Sequence, residues 1–190
     1  MKLAIGVAGL LLLVVLFMVS YVGMSTHSKV YEMDMDNLTF IYRSYKGPYS
    51  EARKAVHEIS YVFTGRYPDE DIKGIGIFYD TPGSVPRNEM KSLIGVMVTG
   101  LTEVADEPID GYSIALYAGG KLAAIDMELK DESSYVFNPV KAYPKLRSYM
   151  NRKKYGNGPV LEVYDKEAGK ITYAIAVKPL PGILKGYPYE

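Results

Sequence analysis

Glu162 is the residue in this chain best placed to do chemistry. It sits in Val160-Leu161-Glu162-Val163-Tyr164, a β-type run near the C-terminus. Side chains alternate between two faces along a strand. Leu161 and Val163 share one face, which is predicted to pack on a helix. Val160, Glu162 and Tyr164 share the other, predicted to be free of helices. Most glutamates are solvated, but an alkyl group and a phenol flank this one. A carboxylate in such surroundings attracts a cation or has its pKa raised by desolvation.

The segment around Glu162 has a counterpart earlier in the chain. Gly74-Ile75-Gly76-Ile77-Phe78-Tyr79-Asp80 aligns with Gly158-Pro159-Val160-Leu161-Glu162-Val163-Tyr164-Asp165. That alignment matches Ile77 to Glu162 and sets Tyr79 beside Tyr164 as a pseudo-twofold pair. The chain has 18 Tyr and no Trp. Tyrosine offers a flat apolar body with a polar tip, suited to half-buried strands or to the wall of a cleft for a cation. The candidate ligand-binding set is Glu162, Tyr164, Tyr79, Tyr45 and Tyr117.

Other chemistries are poorly supplied. With no Cys and only His27 and His57, the sequence points to no metal site and to no Cys nucleophile. His57 falls beside the apolar stripe of a helix, with no partner evident in sequence. Lys and Arg total 22, as do Asp and Glu. That balance gives no argument for nucleic acid, which calls for a basic excess or stripe. No cofactor motif is present.

The elements that would position these residues follow from hydrophobic period and turn chemistry. Leu38 to Tyr45 reads as a strand, broken at Gly47-Pro48-Tyr49. Ser50 is a candidate helix N-cap, and Ala52, Ala55, Val56, Ile59, Val62 and Phe63 recur at helical spacing up to Gly65 and Pro68. Strands are predicted at 74–79 and 92–99. In the second half, 112–117 and 121–129 read as a hairpin turning at Gly119-Gly120. A short helix over 131–138 and a main helix over 142–154 follow, the latter with Leu146, Tyr149 and Met150 buried and Gly156 at its C-terminal cap. A final hairpin pairs 160–164 with 171–177. Each half thus reads strand, helix, strand, strand. The predicted fold is α+β: duplicated βαββ units forming an antiparallel sheet with helices on one face.

Leu3 to Val22 is apolar apart from Gly6, Gly9, Ser20 and Tyr21, a run of twenty residues, about 30 Å as a helix and long enough to cross a bilayer. It exceeds the apolar run of a signal peptide. The predicted organisation is an N-terminal transmembrane anchor (1–23), a linker (24–37), the domain (38–180, with halves 38–101 and 112–178) and an irregular tail (181–190). Asn37-Leu38-Thr39 is a glycosylation sequon, usable only in a lumen.

Two segments carry a family resemblance. Tyr42-Arg43-Ser44-Tyr45-Lys46-Gly47-Pro48-Tyr49 resembles the strand-to-helix turn of gyrase-inhibitor-like (GyrI-like) domains. Tyr143-Pro144-Lys145-Leu146, followed by the run from Gly158 to Tyr164, is similar to the second-half signature of the same family. The resemblance spans about 38–178 and implies a tandem SHS2-type fold with Glu162 in a small-molecule pocket. Gly76-Ile77-Phe78-Tyr79-Asp80, with Pro82, Val85-Pro86 and the apolar N-terminal segment, looks like the membrane-anchored branch that includes a testis-expressed ER-phagy receptor. That likeness implies a single-pass protein of the endoplasmic reticulum with a cytosolic domain. The alternative is a bacterial or archaeal cell membrane with an extracytoplasmic domain. The branch's docking motif is aromatic-x-x-aliphatic in a long tail. Here Phe137-Asn138-Pro139-Val140 has that spacing, but inside the predicted fold.

Three functions compete. The first is a binding module taking a small amphipathic or cationic molecule against Glu162. The second is a membrane-tethered adaptor with a protein partner. The third is a hydrolase using Glu162 and a tyrosine, as some GyrI-like relatives do; the residues point to binding ahead of catalysis.

Overall fold

A computed structural model describes residues 28–36, 38–99, 111–117 and 119–178. The apolar segment 3–22, the sequon at Asn37 and the tail 181–190 lie outside the described residues. Among those described, no helix is long and apolar enough to cross a membrane.

Eight strands form one antiparallel sheet: β1 (Tyr31–Met35), β2 (Leu38–Lys46), β3 (Ile72–Phe78), β4 (Lys91–Thr99), β5 (Ser113–Tyr117), β6 (Gly120–Glu128), β7 (Val160–Asp165) and β8 (Lys170–Ala176). Two helices, α1 (Tyr49–Arg66) and α2 (Ser134–Lys153), follow β2 and β6. The spatial order is β1-β6-β8-β7-β3-β4-β2-β5. The α+β expectation and the repeated strand–helix–strand–strand unit therefore hold. The two units meet at the sheet centre, where β3 pairs β7 with Gly76 opposite Glu162.

Two expectations fail at the sheet edges. Residues 31–35, read as part of a linker, form β1. The strands around Gly119-Gly120 do not form a hairpin: β5 pairs β2, while β6 pairs β1 and β8. The register explains why. Tyr31 faces Ala124 and Met35 faces Gly120; then Leu38 faces Tyr117 and Tyr42 faces Ser113. Partner numbers run one for one across the break, so β1–β2 and β5–β6 are one long ribbon interrupted at 36–37 and 118–119. The two ends of the sheet are thereby joined, and each unit lends its first strand to the far edge of the other. β1 and β5 remain the outer strands, each with one partner among the described residues.

The helices lie on one face. Ala52, Val56, Ile59 and Phe63 of α1, and Ala142, Tyr143, Leu146 and Met150 of α2, share a core with Ile41, Ile94, Ile125 and Ile175 of the sheet. The other face has its own cluster, in which Leu38, Phe40, Ile75, Leu93, Leu122 and Leu161 are all buried, with no helix among the described residues in the cluster. These residues come from both ends of the sheet order and from its middle. Both faces being covered, β4 and β7 are buried along nearly their whole length, unlike the half-wet strand that alternation suggests.

The helices also differ in detail from the sequence reading. α1 starts at Tyr49 behind Pro48, which has no side-chain cap, and Val62 is exposed. Residues 134–153 form one helix, with Pro139 and Pro144 inside it. A proline deprives the carbonyl four residues earlier of its hydrogen bond. At 139 that carbonyl belongs to the first turn, and at 144 the buried stripe Ala142, Tyr143, Leu146 and Met150 carries the helix through. Lys154, at φ 59°, takes the left-handed cap position expected of Gly156.

Gly119 sits at the ribbon crossing with φ +79°, and a Cβ there would lie 2.5 Å from the Met35 carbonyl oxygen. Gly119→Ala is therefore expected to destabilise the domain by about 1–3 kcal/mol, read as a lower urea midpoint at unchanged m value.

Candidate functional site

The sheet carries Glu162 to its centre, on the helix side. Val160 and Tyr164 belong to the core beneath the helices, whereas Leu161 and Val163 belong to the cluster on the opposite face. This reverses the assignment made from the strand alone. The internal alignment was displaced by an odd number of residues: Ile77 and Tyr79 lie on the far face, and Gly76 stands opposite Glu162. With a period of two, a one-residue slip exchanges the faces.

Glu162 is fully buried, with 0% of its surface exposed. Burying a carboxylate costs several kcal/mol unless paired and hydrogen-bonded. Arg53 of α1 supplies the charge through two parallel bonds: Nε donates to Oε2 at 2.9 Å, and Nη2 to Oε1 at 2.7 Å. Such a fork is the strongest arrangement available to this pair. The Tyr143 hydroxyl of α2 donates to Oε1 at 2.5 Å, and the Tyr164 hydroxyl donates to Oε2. Glu162 thus receives bonds from both helices and from its own strand.

Aromatic rings close the surroundings. The Arg53 guanidinium lies 4.9 Å from the centre of the Phe78 ring. The edge of that ring sits 2.5 Å from where a Cβ on Gly76 would be, so the absent side chain is what seats Phe78. Tyr173, opposite Glu162 on β8, is buried edge-on to Tyr143 at 6.1 Å between centroids. Its hydroxyl has no hydrogen-bond partner among the described residues.

Protonation follows from burial. Desolvation first, and then the Glu162 charge, push the Tyr143 and Tyr164 hydroxyls far above the ordinary tyrosine range, and Tyr173 moves the same way. Burial would lower the Arg53 pKa, but the Glu162 carboxylate outweighs it and raises it. The phenols therefore remain donors and Arg53 remains charged.

Of the five residues singled out in sequence, the structure brings two together, Glu162 and Tyr164. Tyr79 is half-buried on the opposite face. Tyr45 is half-buried and donates to Glu51 at 3.0 Å. Tyr117 lies in β5, and its side chain is outside the described residues. Sequence reasoning missed Arg53, Tyr143 and Tyr173. Arg53 had a legible signal: it adjoins Ala52 and precedes Val56 by three on the buried stripe, and a cation on such a stripe demands an anion.

Openings at the surface of the described residues include two, one on the helix side and one on the outer side of α2. One, of about 210 Å³, is lined by Ser60, Thr64, Ile72, Gly74 and Lys73 and touches Tyr164 from outside. Tyr164 thus touches both this cavity and Glu162. The other, of about 540 Å³, lies on the outer side of α2, away from Glu162.

Removing either partner of the ion pair leaves a buried charge. Arg53→Met and Glu162→Gln are each expected to cost about 3–5 kcal/mol, with the double variant costing well under their sum, measured by urea unfolding. A second expectation concerns alkali. The native pKa values of Tyr143, Tyr164 and Tyr173 exceed the unfolded value of about 10. Stability is thus fully present below pH ~10 and falls as pH rises above it, because only the unfolded chain releases these protons readily. Absorbance at 295 nm should show these three tyrosines ionising only together with unfolding; ionisation within the native state would contradict the geometry.

No family model and no curated protein matches this chain. Among solved structures it is similar to the EcmrR C-terminal domain, with a TM-score of 0.56 at 8% identity over 80% of this chain and 98% of that one. It is also similar to EcmrR in a complex with DNA, with a TM-score of 0.57 at 8% identity over 92% of this chain and 67% of that one. An integron cassette protein from the mobile metagenome of Vibrio cholerae gives a TM-score of 0.50 at 12% identity, over 80% and 99%. At such identities the likeness is one of fold: the chain has the GyrI-like fold, α+β, with an eight-stranded antiparallel sheet and two helices.

Proposed function

We propose that this domain is a non-enzymatic binding module for a small amphipathic cation, and that Arg53 occupies the place of the ligand's charge until the ligand arrives. The observation that carries the reading is a carboxylate buried at the sheet centre among Phe78, Tyr143, Tyr164 and Tyr173, its charge met by a side chain that is itself 10% exposed. Arg53 lies between Glu162 and the surface. A ligand bearing a flat fork of N–H donors on an aromatic body would reproduce its two bonds and its stacking on Phe78. The unpartnered Tyr173 hydroxyl offers a further contact.

The cavity at Tyr164 is smaller than the 300–1,000 Å³ typical of pockets for drug-sized ligands. Entry therefore requires Arg53 or Tyr164 to swing away. A hydrolase would need a Glu162 oxygen free to take a proton from water. Arg53, Tyr143 and Tyr164 already engage both oxygens, which weighs against that reading. The exposed apolar side chains Tyr61, Val62, Val136, Phe137 and Val140 favour, as a second reading, a membrane-tethered adaptor with a protein partner.

Benzamidinium has the fork and the ring. Titrated calorimetrically, Arg53→Ala should bind it at least tenfold more tightly than the wild type, and adding Glu162→Gln should abolish binding. If Arg53→Ala does not fold, Arg53→Ser, which also leaves the place of the guanidinium open, serves instead. A folded Arg53 variant that is inert to benzamidinium overturns the proposal.

A further inference from the structure

We propose that the groove of about 540 Å³ on the outer side of α2 binds the phosphate of an anionic lipid headgroup. Among the described residues it is lined by Lys29, Lys145 and Arg152, with Ser28, Ser148 and Tyr149 between them, and by no carboxylate. Three cations and three hydroxyls around one concavity make a phosphate site by charge and by donor supply. The chain as a whole has zero net charge, so this concentration is local. From Ser134 to Lys153 the helix holds no Asp or Glu and five cations: Lys141, Lys145, Arg147, Arg152 and Lys153.

Short-range contacts order the groove. Lys145 Nζ donates to the Ser28 carbonyl at 3.3 Å, tying the incoming chain to α2. Arg152 Nη1 donates to Ser148 Oγ at 2.8 Å. The Tyr149 hydroxyl donates to Glu32 at 2.9 Å. Glu32 is the nearby acid, and Lys121 at 3.8 Å and Lys153 at 4.0 Å answer it. Among the described residues, Lys121 and Lys153 thus counter its charge.

Two observations point to lipid as the source of the phosphate. First, Val136, Val140 and Pro144 follow one another at four-residue spacing on the exposed side of α2, so an apolar stripe, widened by Phe137, runs into the groove. Cations beside exposed apolar side chains suit the interface between headgroups and acyl chains. Second, Val22, the end of the apolar segment, is six residues before Ser28. Whatever its path, the chain can separate them by no more than about 20 Å. A membrane holding that segment would keep the groove at headgroup height. The proposal does not depend on Glu162 having a ligand.

The full chain, in an uncharged detergent, is titrated with dihexanoyl phosphatidic acid, dihexanoyl phosphatidylcholine and inorganic phosphate. Amide chemical shifts of residues 28–30 and 145–152 are followed. Phosphatidic acid should shift them saturably and bind at least tenfold more tightly than the other two. Lys145→Glu with Arg152→Glu should weaken that binding at least tenfold at an unchanged melting temperature. If that pair unfolds the domain, Lys29→Glu, outside any helix or strand, should weaken it several-fold. Equal binding of inorganic phosphate overturns the lipid assignment. Equal binding of both lipids, or no shift at all, overturns the site.

Discussion

An acid without water must be answered from within the protein, and that demand organises this molecule. Glu162 has no exposed surface, so its two oxygens take four hydrogen bonds from three side chains. The donors come from α1, from α2 and from β7. One carboxylate therefore fixes how both helices sit on the sheet. It also joins the two halves, since Arg53 and Glu162 lie 109 residues apart in sequence. Apolar packing alone would tolerate some sliding of a helix over a sheet; a fork of donors on a carboxylate does not.

The sheet makes such burial affordable in space. A strand under a helix normally presents a full row of side chains, but β3 offers Gly74 and Gly76 on the helix side. The missing side chain at 76 lets the Phe78 ring fold back under the guanidinium. Tyr49 then meets Phe78 edge-on at 4.7 Å, carrying the aromatic packing to the start of α1. Each of these residues is ordinary; their placement around one charge makes the centre both rigid and chemically distinct from the aliphatic face behind it.

Much of the fold was legible in the sequence because it is written in local period. Strand alternation, the α1 stripe and the last hairpin all appear close to where they were expected. What escaped was long-range. The choice between two buried faces cannot be made from a strand whose residues are all apolar save one, and Glu162 was assigned to the wrong side for that reason. The edge pairing of β1 with β6 escaped too, because Gly119-Gly120 looks like a tight hairpin and nothing local reveals that its strands diverge. Among the site residues, Glu162 and Tyr164 could be named from their own segment. Arg53 and Tyr143 could be found only by asking which buried helical positions carry a donor. Tyr79 was drawn in by an alignment off by one.

The ribbon formed by β1–β2 and β5–β6 bears on how such a protein can be divided. Neither repeat keeps its own leading strand: β1 completes the second, and β5 completes the first. An isolated repeat would be left with a bare border, and two isolated copies could cover those borders only by trading arms. The natural dissection is therefore not into autonomous modules but into interlocked fragments. A chain severed between β4 and β5 has every reason to reassemble as a noncovalent pair, and fusing the copies into a single polypeptide turns a subunit exchange into an internal one.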